Sequence, residues 1–183
     1  TNAIRIQISP DDPVSKNIDH SVVLVEMDDK RFFLERMVLE NPGQKMVVFV
    51  RTKVRADRVS AAMARVNIET VTLHSGKTHQ ERKAAMDAFR AGKVSVLVAT
   101  DVSARGVDIP EVEYVINYDL PEVAENYVHR IGRTGRGTHK GKAISFCSKE
   151  ELPLLNEIEA YLGYALASQT LSELEYQETL MFS

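Results

Sequence analysis

An α/β fold, with a mostly parallel sheet covered by helices on both faces, is what the sequence predicts. Three observations carry that expectation. Short β-branched runs recur along the 183 residues. Helix-length segments with apolar residues three or four apart separate them. The runs themselves are almost continuously apolar, which suits strands covered on both sheet faces, and the intervening helices supply the crossovers that parallel strands need.

Taken in order, residues 1–18 read as an extended linker, because each proline of Ser9-Pro10-Asp11-Asp12-Pro13 disfavours helix at the residue before it. The globular domain is expected over 19–164. Its first strand lies around Val22-Val23-Leu24-Val25, and a helix carrying Phe32, Phe33 and Met37 stops before Asn41-Pro42-Gly43. Strands follow at Met46–Val50, Thr70–Leu73, Val94–Ala99, Tyr114–Tyr118 and Ala143–Cys147. Helices at Val54–Val66, Arg82–Phe89 and Val123–Ile131 alternate with them, the last ending at Gly132, and another is expected over Glu150–Tyr161. Residues 165–183 are acidic and weakly patterned, and read as a flank that is either a docking helix or a frayed tail.

No apolar stretch approaches the roughly eighteen residues of a membrane span, and Thr1-Asn2-Ala3-Ile4-Arg5 lacks a signal region, so a soluble cytoplasmic protein without membrane partners is expected. The lone Cys147 cannot form an internal disulfide, and its strand setting marks it as packing. Net charge is −3, but the charges are segregated: seven acids and no Lys or Arg follow Lys149, which leaves residues 1–149 at +4. Within that part, His129 to Lys142 holds Arg130, Arg133, Arg136, Lys140 and Lys142 with no acid. Such an island is either a solvated loop or an anion site.

Two stretches carry chemistry. In His129-Arg130-Ile131-Gly132-Arg133-Thr134-Gly135-Arg136, the glycines end a helix and let a turn approach a ligand. Guanidinium is the group for phosphoryl oxygens, since it stays charged and donates two parallel hydrogen bonds. Complementing a helix C-terminus would need only one such cation. In Ala99-Thr100-Asp101-Val102-Ser103-Ala104-Arg105-Gly106-Val107-Asp108, Thr100 and Asp101 sit at the carboxyl end of a strand, where sites gather in open α/β sheets. Gly106 permits a turn from which Asp108 could accept from a ribose hydroxyl. A third stretch, Ser75-Gly76-Lys77-Thr78, imitates the end of a phosphate-binding P-loop, but Val71 stands where the first glycine belongs. No Asp-Glu pair follows an apolar strand to hold Mg²⁺, and no metal site is expected in this chain.

Ala99 to Asp108 and His129 to Arg136 resemble motifs V and VI of the DEAD-box RNA helicases, and Val48-Phe49-Val50-Arg51-Thr52-Lys53 resembles motif IV. The likeness spans about Asp19 to Leu162, and beyond Ser148 it is to the RhlE-like branch. It implies the second, C-terminal RecA-like domain of an ATP-dependent enzyme that unwinds RNA duplexes or remodels ribonucleoproteins, with ATP and Mg²⁺ held by an N-terminal RecA-like domain. Carried over, Arg133 and Arg136 become arginine fingers, and Gly106 and Asp108 contact the nucleotide. Thr52, Arg82, Thr100 and Arg105 face RNA, while Asp101, His129 and Arg130 couple to the first domain. RNA and that domain are the implied partners, with a protein partner for the C-terminal flank. Alone, the fragment is expected to be inactive. A non-catalytic RNA- or protein-binding clamp and a related DNA helicase are the alternatives. The sequence departs from the family at Ser75, where glycine is usual, and at His79, where glutamine is usual; His79 either donates a hydrogen bond in its place or faces solvent.

Overall fold

The structure, a computed structural model, describes residues 12–136, 140–169 and 171–181. Residues 1–11 of the expected linker and 137–139 of the basic island lie outside the described residues. Seven strands form one sheet: β1 (Ile18–Leu24), β2 (Met46–Phe49), β3 (Val71–Leu73), β4 (Val96–Ala99), β5 (Tyr114–Asn117), β6 (Gly141–Cys147) and β7 (Ala167–Gln169). Their order is β3-β4-β2-β5-β6-β1-β7, and every neighbouring pair is parallel.

The central strands are buried on both sides, as their continuous apolar runs require. Val47 and Phe49 of β2, with Leu97 and Ala99 of β4, face one core. It is closed by α3 (His79–Arg90), α5 (Ala124–Ile131) and α6 (Leu152–Leu162), through Met86, Phe89, Tyr127, Ile131, Leu155 and Ile158. Val48, Val96 and Val98 face the other core, closed by α1 (Lys30–Glu40) and α2 (Lys53–Arg65) through Phe33, Leu34, Val59 and Met63. A one-residue alternation therefore feeds two separate cores. A short helix, α4 (Asp101–Ala104), follows β4.

The segment after residue 164, read as a flank, adds β7 and α7 (Glu173–Leu180) to the body. Strand β7 pairs with β1 over Ser21–Val23, and its residues are all exposed. Helix α7 starts on a capping box formed by Ser172 and Glu175 and docks on α1. There the rings of Tyr176 and Phe33 lie 5.0 Å apart, Tyr176 Oη donates to Asp29 Oδ2 at 2.7 Å, and Arg36 Nη1 donates to Thr179 Oγ1 at 2.7 Å. At the other end, residues 12–17 also pack: Val14 is buried, and Tyr164 Oη donates to Asp12 Oδ1 at 3.2 Å.

Beneath the loop after β5 lies a buried ionic cluster. Lys30 is fully buried and donates to Glu151 Oε1 at 2.5 Å and to the Tyr118 carbonyl at 2.6 Å. Asp119 lies beside it and accepts from Arg55 Nε at 2.7 Å and from the Arg51 backbone N–H at 2.9 Å. Burial alone would raise the Asp119 carboxyl, but the Arg55 bond, the Lys30 charge and the Arg51 N–H outweigh it and hold it below the usual carboxylate range.

Candidate functional site

The residues singled out by sequence collect at the carboxyl-terminal edge of the sheet, where parallel strands hand over to loops. Thr52 follows β2, His74 to Thr78 follow β3, Thr100 and Asp101 follow β4, and Asp119 follows β5. Helix α5 then delivers His129 and Arg130, and the turn after it carries Arg133 and Arg136.

Arg130 is turned inward, which differs from its reading as a contact to another domain. It is 2% exposed. Its Nε and Nη2 donate to the two oxygens of Asp101 at 2.7 and 2.9 Å, and Nη1 donates to Asn117 Oδ1 at 3.1 Å and to the Asp119 carbonyl at 2.6 Å. The guanidinium carbon sits 5.2 Å from the Phe49 ring centre. One side chain thus ties together the ends of β2, β4 and β5. Asp101, expected to couple domains, is the carboxylate that holds this strut, whereas His129, one residue earlier, is exposed at the rim.

Arg133 is the anion-seeking group. Its Nη2 and Nη1 donate to the carbonyls of Ala104 and Val107 at 3.2 and 3.5 Å, which fixes the fork over the motif-V turn. Its Nε is buried and has no hydrogen-bond partner among the described residues. Burial, then the neighbouring charge of Arg136, push its pKa below the usual guanidinium value, and Asp108 opposes them. A half-buried guanidinium beside a second cation is a place where an anion would lower the local charge. A cleft of about 140 Å³ opens there, lined by Phe49, Asp101, Arg105, Gly106, His129 and Arg133. The two stretches read from sequence as chemical therefore share one wall.

Gly106 turns with φ +77°, and a Cβ there would meet open space, so a ligand can approach the backbone. Asp108 is exposed, and its carbonyl accepts from Arg90 Nη2 at 2.7 Å, which leaves the carboxylate at the rim. Arg136 is exposed and outside the cleft: its backbone N–H donates to Glu111 Oε2 at 2.9 Å and its Nε to the Gly132 carbonyl at 3.2 Å. Gly135 before it has φ +68°, and a Cβ there would lie 2.6 Å from Ile18 Cγ1. The turn is thus seated on the first strand of the domain.

The remaining candidates form a second group beside it. Thr52 is exposed and N-caps α2, accepting from Arg55 N–H at 3.2 Å. Thr100 is 8% exposed, stands at the N-cap of α4 without a side-chain capping bond, and its N–H donates to the Leu73 carbonyl at 3.3 Å. Arg82 is half-buried and donates to the Lys77 carbonyl at 2.8 Å; Arg105 is exposed. The P-loop look-alike has a local purpose. Thr78 Oγ1 accepts from Glu81 N–H at 3.0 Å and Glu81 accepts in return from Thr78 N–H at 2.8 Å, a capping box at the start of α3. Gly76 N–H donates to His74 Nδ1 at 2.9 Å, which leaves Nε2 to donate to Asp57 at 3.0 Å. His79 is exposed and makes no hydrogen bond among the described residues. Sequence reading missed Asn117 and Asp119; the signal available was two polar residues flanking the end of the apolar run Val115-Ile116.

Comparison with known proteins agrees with the fold. Residues 29–138 match the family described as helicase conserved C-terminal domain. The ATP-dependent rRNA helicase RRP3 of Eremothecium gossypii is 37% identical over 173 residues, which cover 94% of this chain and 36% of the relative. The chain thus spans about a third of the length of the curated relatives it matches. Among solved structures, the Escherichia coli DEAD-box protein SrmB, bound to regulator of ribonuclease activity A, superposes with TM-score 0.78 at 32% identity, covering 85% of this chain and 93% of that one. Saccharomyces cerevisiae Dbp5, bound to RNA and ADP BeF3, gives TM-score 0.78 at 31% identity over 99% of this chain and 48% of that one. No helix among the described residues is long and apolar enough to cross a membrane. With its all-parallel sheet and the cleft at the strand ends, the chain belongs to the helicase conserved C-terminal domain family, as the C-terminal RecA-like domain of a DEAD-box RNA helicase.

Proposed function

We propose that this domain supplies half of a split ATP site and part of the RNA-binding surface of a two-domain, cytoplasmic ATP-dependent RNA helicase. The observation that carries the reading is the half-buried Arg133, which lines a cleft open at the sheet edge together with Gly106 and His129, with the Arg136 charge close by. An N-terminal domain would hold ATP and Mg²⁺, and hydrolysis of the bound nucleotide drives the cycle. Arg133 and Arg136 then neutralise charge developing on the transferred phosphoryl group. Asp108 accepts from the ribose, and the open turn at Gly106 admits it. His129 touches the first domain from the cleft rim. Arg130 and Asp101 act from within, holding the loops after β4 and β5 in register with the arginine turn.

Thr52, Arg82, Thr100 and Arg105 bind RNA phosphates along the adjoining edge. Backbone contacts of this kind give little sequence preference and a salt-sensitive affinity. That a similar protein was captured with RNA and a nucleotide analogue supports the pairing of the two ligands. A protein partner for the C-terminal segment belongs to the same proposal, since α7 leaves Leu174 and Met181 exposed. The test is ATP turnover by the joined two-domain protein, with and without RNA. Arg133→Ala or Arg136→Ala should lower RNA-stimulated turnover by about 10³-fold or more. Near-normal turnover in both variants overturns the split-site reading.

A further inference from the structure

A second basic surface lies away from the cleft, in a groove of about 530 Å³ between α1 and α2. Arg55, Arg58 and Arg65 of α2 border it, and Arg31 of α1 borders it as well. Residues 55, 58, 62 and 65 follow a helical 3-4-3 spacing and share one face of α2, with the small Ala62 leaving the stripe open. From Arg55 to Arg65 the stripe runs about 15 Å along the helix. Tyr118 lies at its base, its ring centre 5.6 Å from the Arg55 guanidinium carbon, and Asp28 is the acid at its edge.

Arg31, Arg58 and Arg65 are exposed, and Arg58 and Arg65 make no hydrogen bond or ion pair among the described residues. Helix electrostatics account for Arg65, in the last turn, but not for the rest. Lys53 and Arg55 stand in the first turn, which holds no acid, where the helix dipole disfavours cations. Like charges along one face destabilise the helix further. Arg55 is neutralised by Asp119, but Arg58 and Arg65 carry their charge into the groove without a partner among the described residues, in a chain whose net charge is −3, and that makes the groove an anion surface.

We propose that this groove is a second track for single-stranded RNA, which continues the strand's path from Thr52 along α2. Three features favour a phosphate backbone over an acidic protein. The stripe starts one turn from Thr52, the N-cap of α2, so it is continuous with the RNA edge. Its cations past the first turn are all arginines, which bind phosphate in bidentate fashion. Their spacing along a straight helix suits a repeating anionic chain. The inference rests on the reading of this domain as RNA-binding and extends it to a longer footprint.

The test measures binding of the 183-residue chain to a short (about 6-nucleotide) and a long (about 20-nucleotide) single-stranded RNA over a range of salt. The variants are the double substitution Arg58→Gln with Arg65→Gln, and separately Arg82→Ala. The double variant should leave the short RNA unaffected. For the long RNA it should flatten the slope of log K against log salt by about 1.4, at about 0.7 for each phosphate that is no longer neutralised. Arg82→Ala should weaken both lengths. An unchanged slope for the long RNA with the thermal melt intact overturns the proposal, as does failure of the unaltered chain to bind the long RNA. If polyglutamate binding is lost in the double variant while RNA binding is kept, the groove is a protein-docking surface instead. If Arg82→Ala changes nothing while the double variant weakens the long RNA, the groove stands and the RNA edge assigned above falls.

Discussion

Replacing Arg130 with methionine separates an interior strut from a surface contact. The substitution keeps an aliphatic stem against Phe49 and deletes a guanidinium that makes four hydrogen bonds. Asp101 keeps a side chain 25% exposed and can rehydrate, but Asn117 Oδ1 and the Asp119 carbonyl are enclosed and lose a donor. Each orphaned buried acceptor costs about 1–3 kcal/mol, and breaking a buried pair from one side typically costs about 3–5 kcal/mol. We expect a loss of about 3–5 kcal/mol. In urea, with a slope of about 2–3 kcal/mol/M for a domain of this size, the midpoint should fall by roughly 1–2.5 M. Circular dichroism of the isolated chain reads it directly. Arg130→Lys keeps the charge but not the fork, so it should recover part of the loss. A loss under about 0.5 kcal/mol, typical of surface sites, would show that the guanidinium does not carry the strand ends.

Lys30→Met should destabilise the domain by about 3–5 kcal/mol, because it takes the nearest cation from buried Glu151 and leaves it only the longer 3.4 Å pair with Arg51; a melt no lower than that of the parent would refute the pair's burial. Gly135→Ala should cost about 1–3 kcal/mol from its positive φ alone, more with the Ile18 contact, and should also weaken ATP-dependent turnover of the two-domain protein by displacing Arg136; unchanged stability would refute the seating. His20 has its pKa lowered from the ordinary 6.5, by burial against the Asp12 and Asp19 charges, and its Nδ1 lies 2.7 Å from Tyr127 Oη. The unfolded chain therefore binds the proton more readily. The stability this histidine confers is complete above pH 6.5 and is lost as pH falls from there through its folded value. His20→Gln should remove that component from a melting-temperature profile, and an identical profile would refute it.

The sheet was legible because its strands are buried on both sides: Met46–Phe49 and Val96–Ala99 offer no other use for so many β-branched residues. The seventh strand was not, since Ala167-Ser168-Gln169 is exposed at an edge and carries no apolar signal. Helix α7 carries acids at three of its eight positions, and its docking rests on a few side chains, Tyr176 and Thr179 among them, that no periodicity marks. At the edge of the sheet, sequence spacing pointed to Arg133 and Gly106, which line the cleft, because glycines at those intervals end a helix and permit a turn. It could not tell that Arg130 faces inward while His129 faces out, for these neighbours differ only in rotation about α5. The α1–α2 groove was invisible for a similar reason: Arg31 joins Arg55, Arg58 and Arg65 only after two helices pack.

Strand β1 sits between β6 and β7, so its ladder partners emerge more than a hundred residues after it. During synthesis, Val22 and Val23 must wait for nearly the whole domain before they are covered, and closing such long loops makes late pairing slow. An unpaired apolar strand is the place where nascent chains stick to one another. A chain that stops short of Gly141 would keep β2 to β5 and the loops after them yet leave β1 without either neighbour. Its aggregation would report an orphaned first strand and not a defect in the arginine turn.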